Sequence, residues 1–452
     1  MSSFLRSQRL CALLSFLLLS CWPVLLFANG VPLTPEQLRE DLRTMQDAIL
    51  RTHPQPEHSV DPVVMARAFA DVRSALDRPM DRDEAWQVFA TLNPLLADGH
   101  LFVGYPDWRG ETTAYRASGG ALFPFEIRVD EEGQPFVRAA LGGAPTRWAG
   151  ARIVRINGVD ARKVAAALLA RVHGDSPAFR ASLLSRRWWF FYWKMFGAPE
   201  TFALDMDRVA ATLPASRASP QILVDEAVFE RTYGLELRPG KIAVLKLGAF
   251  SWEDEAAFFR FTAGAFQRIR ETGVETLVID LRDNGGGDDG YWKTGVLPYL
   301  ADKPYLWGSA FRKRVLEKYR DEGETVGQIV SGRLDAPVEP AEDRRDVFQG
   351  RTYVLVGPAT YSSAVLFANV MQDYGFARIA GTGGAVRSRQ SGGVERYRLA
   401  HTGLAVWVPR FVLERPRPNA GDIWLKPDVA LPGDHAAFPD PIDALIAREF
   451  DD

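Results

Sequence analysis

Between Lys241 and Ala380 the sequence runs twice through one pattern, and that repetition constrains the fold more than any other feature. Ile242 to Leu247 reads as a buried strand, Ser251-Trp252-Glu253-Asp254 as a helix N-cap with first-turn acids, and the helix runs to Thr272, where Gly273 stops it. Thr276 to Leu281 is the next strand, which makes the unit a right-handed βαβ crossover ending in Asn284-Gly285-Gly286-Gly287. The second pass begins with a strand from Tyr353 to Gly357 and the turn Thr360-Tyr361-Ser362-Ser363-Ala364. A helix from about Ser363 to Tyr374, closed by Gly375, and a strand from Ala377 to Ala380 complete it. The core is therefore α/β.

The two turns carry different chemistry. Glycines without Cβ atoms let a backbone turn sharply and present N–H groups, and Asp280, Arg282 and Asn284 can shape that turn by hydrogen bonding. Ser362 opens a helix, where unpaired N–H groups and the helix dipole favour a developing negative charge. A hydroxyl nucleophile beside backbone donors is the combination acyl transfer needs, although serines at a helix start also serve as plain caps. A phosphate loop does not fit Gly285 to Gly290: Lys293 falls three residues after Gly290, and Asp288 and Asp289 would repel a phosphate.

The remaining chain is long enough, at 452 residues, for two or three domains. Arg6 and Arg9 precede an apolar run from Leu10 to Phe27 that ends in Ala28-Asn29-Gly30, so residues 1–28 read as a secretory signal and the protein as exported, periplasmic or secreted. An uncleaved anchor, or a lipid on Cys21 after Leu18-Leu19-Ser20, is the alternative. Both cysteines, Cys11 and Cys21, lie in this segment, so cleavage leaves no thiol chemistry. A formal net charge of -3 gives no electrostatic case for nucleic acid or an anionic membrane.

Residues 29–98 read as a helical domain, opened by Thr34-Pro35-Glu36 with apolar residues at Leu38, Leu42, Met45 and Leu50. Residues 99–212 are richer in short strands, such as Phe123 to Val129 and Phe136 to Ala140. Within them Ile153-Val154-Arg155-Ile156-Asn157-Gly158-Val159 is similar to the second half of a PDZ domain, and an ordinary hairpin with an Asn-Gly turn explains it equally. The stretch Arg186 to Lys194, with Trp188, Trp189 and Trp193, reads as core or domain interface rather than a peptide groove. Leu213 to Pro220 is the candidate linker into a core of residues 221–452, in which 291–350 is a charged insertion, either a lid or a surface excursion.

Several motifs stand in one order: Ala97-Asp98-Gly99-His100, Ile279-Asp280-Leu281-Arg282-Asp283-Asn284-Gly285-Gly286-Gly287, Thr360-Tyr361-Ser362-Ser363-Ala364, Gln372-Asp373-Tyr374-Gly375, Gly381-Thr382-Gly383-Gly384 and Pro427-Asp428-Val429. Together they resemble the tail-specific and tricorn-core serine peptidase family over much of the chain from Leu95 onward, and the histidine motif resembles its tricorn-like branch. The resemblance implies a crotonase- and ClpP-like spiral core, a polypeptide substrate, and no metal or cofactor. It assigns Ser362 as nucleophile, His100 as general base, and the N–H of Ser363 with one from Gly286 or Gly287 as the oxyanion hole. The position of the lysine base of the tail-specific branch is occupied by Arg387, which cannot deprotonate and so cannot take a serine proton. Arg387 and Asp98 are then candidates for orienting or substrate-contacting roles. Lys426 stands before Pro427 where an acid would be expected, so Asp98, Glu395 and Asp422 compete as third member. The alternative is a catalytically silent relative that binds peptides or small apolar ligands in the same cleft.

Overall fold

The structure, a computed structural model, describes residues 32–207, 209–340, 346–417, 423–431 and 440–450. The signal-like segment and Asp422 lie outside them. Among the described residues no helix is long and apolar enough to cross a membrane.

The chain opens with α1 (Pro35–Thr52), α2 (Pro62–Ala75), α3 (Arg82–Phe89) and the single turn α4 (Asn93–Leu96). Thr34 and Gln37 form a reciprocal capping box, and Leu38, Leu42 and Met45 are buried as their spacing requires. Leu50 instead faces solvent, and Ile49 takes the inward position. β1 (Phe102–Gly104) follows, then α5 (Trp108–Ala117), the hairpin of β2 (Phe125–Val129) with β3 (Pro135–Ala140), and β4 (Ile153–Ile156) with β5 (Val159–Asp160). Asn157 and Gly158 both have positive φ, 49° and 81°, as a tight turn of this kind demands. α6 (Ala161–Leu169) and α7 (Pro177–Phe196) lead to β6 (Thr201–Met206) and β7 (Ala210–Pro214). In α7 the residues Trp188 to Tyr192 are buried in a core shared with α1 and α3, which makes the Trp-rich stretch a packing element.

The second half holds a six-stranded sheet ordered β17-β14-β13-β10-β9-β8. Its strands are β8 (Tyr233–Arg238), β9 (Ile242–Leu247), β10 (Thr276–Asp280), β13 (Arg351–Val356), β14 (Arg378–Gly381) and β17 (Val429–Ala430). All pairings are parallel except that of the edge strand β8 with β9. α8 (Glu255–Glu271) links β9 to β10; its N-cap is Asp254, three residues beyond Ser251. α9 (Asp289–Gly295) follows the glycine turn, and α10 (Ser363–Asp373) links β13 to β14; α11 (Pro441–Phe450) closes the described chain. β9, β10 and β13 are almost wholly buried, which accounts for their continuous apolar runs.

A second sheet is built from β11 (Ala310–Arg314), β12 (Ile329–Arg333), β15 (Gln390–Arg398) and β16 (Ala405–Leu413), with β1 from the first half of the chain added to β16. The segment expected to be a lid or excursion thus contributes β11 to this sheet, paired with both β12 and β16. The pairing of β1 with β16 brings the segment just before Phe102 beside the start of β15.

Candidate active site

The glycine turn leaves the carboxyl end of β10 and the serine turn leaves that of β13, its direct neighbour, so the parallel order sets the two side by side. Asn284, fully buried, pins the glycine turn: its Nδ2 donates to Leu247 O at 2.8 Å, its Oδ1 accepts Gly286 N–H at 2.8 Å, and its carbonyl accepts Tyr361 N–H at 3.0 Å. Thr360 Oγ donates to Leu281 O at 2.7 Å and accepts Gly357 N–H at 2.9 Å, which ties the serine turn to the same place. At Gly286 (φ 101°) a Cβ would stand 2.6 Å from Ser362 Cβ, and at Gly287 (φ 138°) it would stand 2.1 Å from Phe250 O. Only glycine fits either position.

Ser362 adopts φ 54° and ψ -125°, a conformation that costs a residue with a Cβ about 1–3 kcal/mol. Its Oγ makes no hydrogen bond among the described residues, whereas Ser363 Oγ donates to Asp289 and accepts Trp292 Nε1–H at 2.8 Å. The amide of Gly286 is engaged by Asn284, so of the two neighbouring glycines Gly287 has its N–H unpaired among the described residues, as does Ser363 at the first position of α10.

His100 arrives from the helical half. His100 Nδ1 lies 3.0 Å from Ser391 Oγ, and Ser391 Oγ donates to Asp98 Oδ1 at 2.9 Å. Because the serine hydrogen goes to the carboxylate, the Ser391 oxygen accepts from Nδ1–H, which leaves the lone pair on Nε2. The His100 backbone N–H also donates to Asp98 Oδ1, at 2.7 Å. The ring packs on Tyr361, the residue before Ser362, with centroids 4.8 Å apart. Gln390, beside Ser391, accepts Ser362 N–H on its Oε1 at 3.2 Å. His100 and Ser362 are thus held by the same neighbours, Tyr361 and the start of β15, without a direct hydrogen bond between them; such bonds are often long in the absence of substrate. Burial pulls the His100 pKa below the ordinary histidine value, against the opposing field of Asp98.

Asp175 draws the junction together. Its Oδ1 accepts Tyr361 Oη–H at 2.8 Å and Gly99 N–H at 3.0 Å, and its Oδ2 accepts Arg387 N–H at 2.9 Å. Burial, reinforced by the charge of Asp98, pushes its pKa up to about 6. Arg387 donates to Ala97 O and lies over the Trp424 ring, so it braces the Asp98-His100 loop. Glu395 is placed farther along β15, paired with Lys318 at 2.8 Å.

Behind Asp98 lie His53 and His58, all three side chains nearly inaccessible. One ligand atom from each falls within 4.8 Å of the others, the spacing of a metal site. The donor set does not fit one. His53 Nδ1 accepts the Gln55 N–H at 3.0 Å, so a neutral ring carries its proton on Nε2, the atom that faces Asp98 and would have to coordinate. The trio is better described as an ionised carboxylate among imidazoles. Burial opposes the charge of Asp98, but the His53 N–H and the fields of His58, His100 and His53 hold its pKa far below the ordinary range. Burial lowers the His58 pKa to about 4.

A cavity of about 1140 Å³ opens against the glycine turn, lined by Gly285 and Gly286, by Trp108 and Arg187 from the helical half, and by Ala385. Ser362 lies against Gly286, and His100 packs on the adjoining Tyr361.

Residues 241–428 match the model of Peptidase family S41. The chain carries an S41 peptidase domain. It is a serine-type peptidase, and its substrate class is polypeptide. Mature CPAF complexed with lactacystin is similar in structure over 88% of this chain and 94% of that one, with a TM-score of 0.62 at 14% identity, a likeness of fold. A Photosystem II D1 C-terminal processing protease aligns over 89% of this chain and 94% of that one, with 18% identity and a TM-score of 0.47. No curated protein sequence is significantly similar to this chain.

The sequence motifs locate Ser362, Ser363, the glycines, Asp98 and His100, and the structure gathers all of them at one junction. Ser391, Gln390, Tyr361 and Asp175 escaped sequence reading although they hold that junction together. Tyr361 lies inside the serine-turn motif, where nothing but its hydroxyl marks a second role. Ser391 had none, being 291 residues from His100.

Proposed function

We propose that this chain is an exported serine peptidase in which Ser362 is the nucleophile and His100 its general base, oriented by Asp98 through Ser391. Ser362 Oγ attacks the peptide carbonyl and its proton passes to His100 Nε2. The tetrahedral oxyanion is held by the N–H groups of Gly287 and Ser363, and the imidazolium returns the proton to the leaving amine. Water then repeats the sequence on the acyl-enzyme. The hydrogen-bond chain from Asp98 through Ser391 to His100 carries this reading, because it fixes the one tautomer that can accept the serine proton.

The reading is tested by treating the purified protein with a fluorophosphonate probe. Wild type is expected to label and Ser362→Ala to remain unlabelled; a wild type that never labels, or a label retained by Ser362→Ala, overturns it. Export is supported by Arg6, Arg9 and the apolar run to Phe27. It predicts a mature protein whose mass corresponds to loss of residues 1–28, and recovery of only the full-length chain from the cytoplasm would refute it.

A further inference from the structure

α7 loses helical geometry at one residue, Arg187, with φ -137° and ψ 27°. The break lets the side chain leave the packed face on which Trp188 and Trp189 are fully buried. Its guanidinium lies 5.3 Å from the Trp108 ring centroid and 5.4 Å from that of Phe191, and it makes no hydrogen bond or ion pair among the described residues.

The neighbouring charges are occupied. Arg186 donates to Asp283 O at 3.0 Å, and Arg109 binds both oxygens of Glu226, at 2.7 and 2.9 Å. Burial, with the repulsion of Arg109 and Arg186, lowers the Arg187 pKa to about 9 against the opposing field of Glu226. The guanidinium is partly accessible from the cavities it lines and has no anion of its own among the described residues, and its planar fork is shaped for a carboxylate.

Arg187 stands where two cavities meet. It lines the large cavity that reaches Gly285 and Gly286, and also a smaller one of about 270 Å³. The smaller cavity is walled by a stack in which Phe102 lies 3.7 Å from His173 and 4.5 Å from Trp407, centroid to centroid. The Arg186 bond to Asp283 ties this part of α7 to the glycine turn, three residues before Gly286.

We propose that Arg187 is the receptor for a carboxylate of the peptide substrate, either an acidic side chain or the chain end, with the aromatic stack beside it receiving the adjoining apolar part. The assignment rests on the peptidase reading, because it places the peptide in the cavity that ends at the glycine turn.

The experiment uses the full chain carrying Ser362→Ala, so that binding is read without turnover. Fluorescent peptides are compared in matched pairs, internal glutamate against glutamine and free C-terminal acid against amide, by anisotropy. One pair is expected to show about 10-fold or more tighter binding of the acid, and which pair does so identifies the source. Adding Arg187→Gln is expected to erase that difference and Arg187→Lys to keep part of it, the lysine variant serving also if the glutamine variant does not fold. Equal binding within both pairs overturns the proposal, and so does an acid preference that survives Arg187→Gln. A preference that depends on Arg187 in a protein whose wild type is inert to fluorophosphonate would refute the peptidase reading while upholding the carboxylate site.

Discussion

Ser391 gives His100 an acceptor for Nδ1–H and passes the influence of Asp98 along one hydroxyl. Removing that hydroxyl leaves the ring free to change tautomer, so Ser391→Ala is expected to lower kcat/KM by about 10- to 100-fold, with Ser391→Thr recovering much of it. A role confined to packing would not move the pH profile. As the proposed general base His100 must be unprotonated to act, and its pKa lies below the ordinary 6.5, so activity should fall to half only at a pH below 6.5. Ser391→Ala should carry that midpoint further toward acid, because the hydroxyl it removes accepts from Nδ1–H and does so more strongly when the ring is charged. A midpoint at or above 6.5 in wild type would contradict the assignment. Ser362 and His100 were legible in the sequence because short motifs surround them. Their connections were not, since a hydrogen bond between residues 291 apart leaves no local pattern.

The glycine turn behaves as an element braced on both flanks, by Asn284 and Thr360 on one side and by the pairing of Phe250 with the 286–288 backbone on the other. Asn284→Ala would strand Leu247 O and the Gly286 N–H in the interior, a loss of about 2–3 kcal/mol in denaturant unfolding, together with weaker fluorophosphonate labelling. Two glycine replacements separate strain from collision. Gly158→Ala meets nothing within 4 Å at φ 81° and should cost about 1 kcal/mol, whereas Gly287→Ala collides with Phe250 O and should cost at least about 2 kcal/mol. Equal melting losses would refute the contrast. β9, β10, β13 and α10 were readable because buried parallel strands and glycine-stopped helices have strong local signatures. The place of β11 was not, because its partner β16 is distant in sequence and its own residues Arg312, Lys313 and Arg314 look like an exposed charge run. Lys313 is in fact satisfied by Asp321 and Glu324, each at 2.8 Å.

At the scale of the molecule, the helical half supplies part of the site and also a sensitivity to acid. An unfolded chain protonates His58 below pH 6.5, whereas the folded one resists until about pH 4. The unfolded state therefore binds more protons in that window, and stability falls as pH drops through it, by about 3 kcal/mol in all. Urea unfolding at pH 7 and pH 4.5 should show this slope, and His58→Gln should flatten it. An unchanged slope would mean that other groups dominate. The same dependence on both halves predicts that a fragment starting at residue 221 lacks Asp98, His100 and Asp175 and does not label with fluorophosphonate.

The addition of β1 to β16 has a consequence for biogenesis. Phe102 waits for Trp407, a partner made roughly 300 residues later. At ribosomal speeds of about 5–20 residues per second that delay is about 15–60 s, during which the histidine loop has no sheet to dock on. The nascent chain is thus born latent. Its histidine loop gains that docking surface only after the β16 residues around Trp407 have been made.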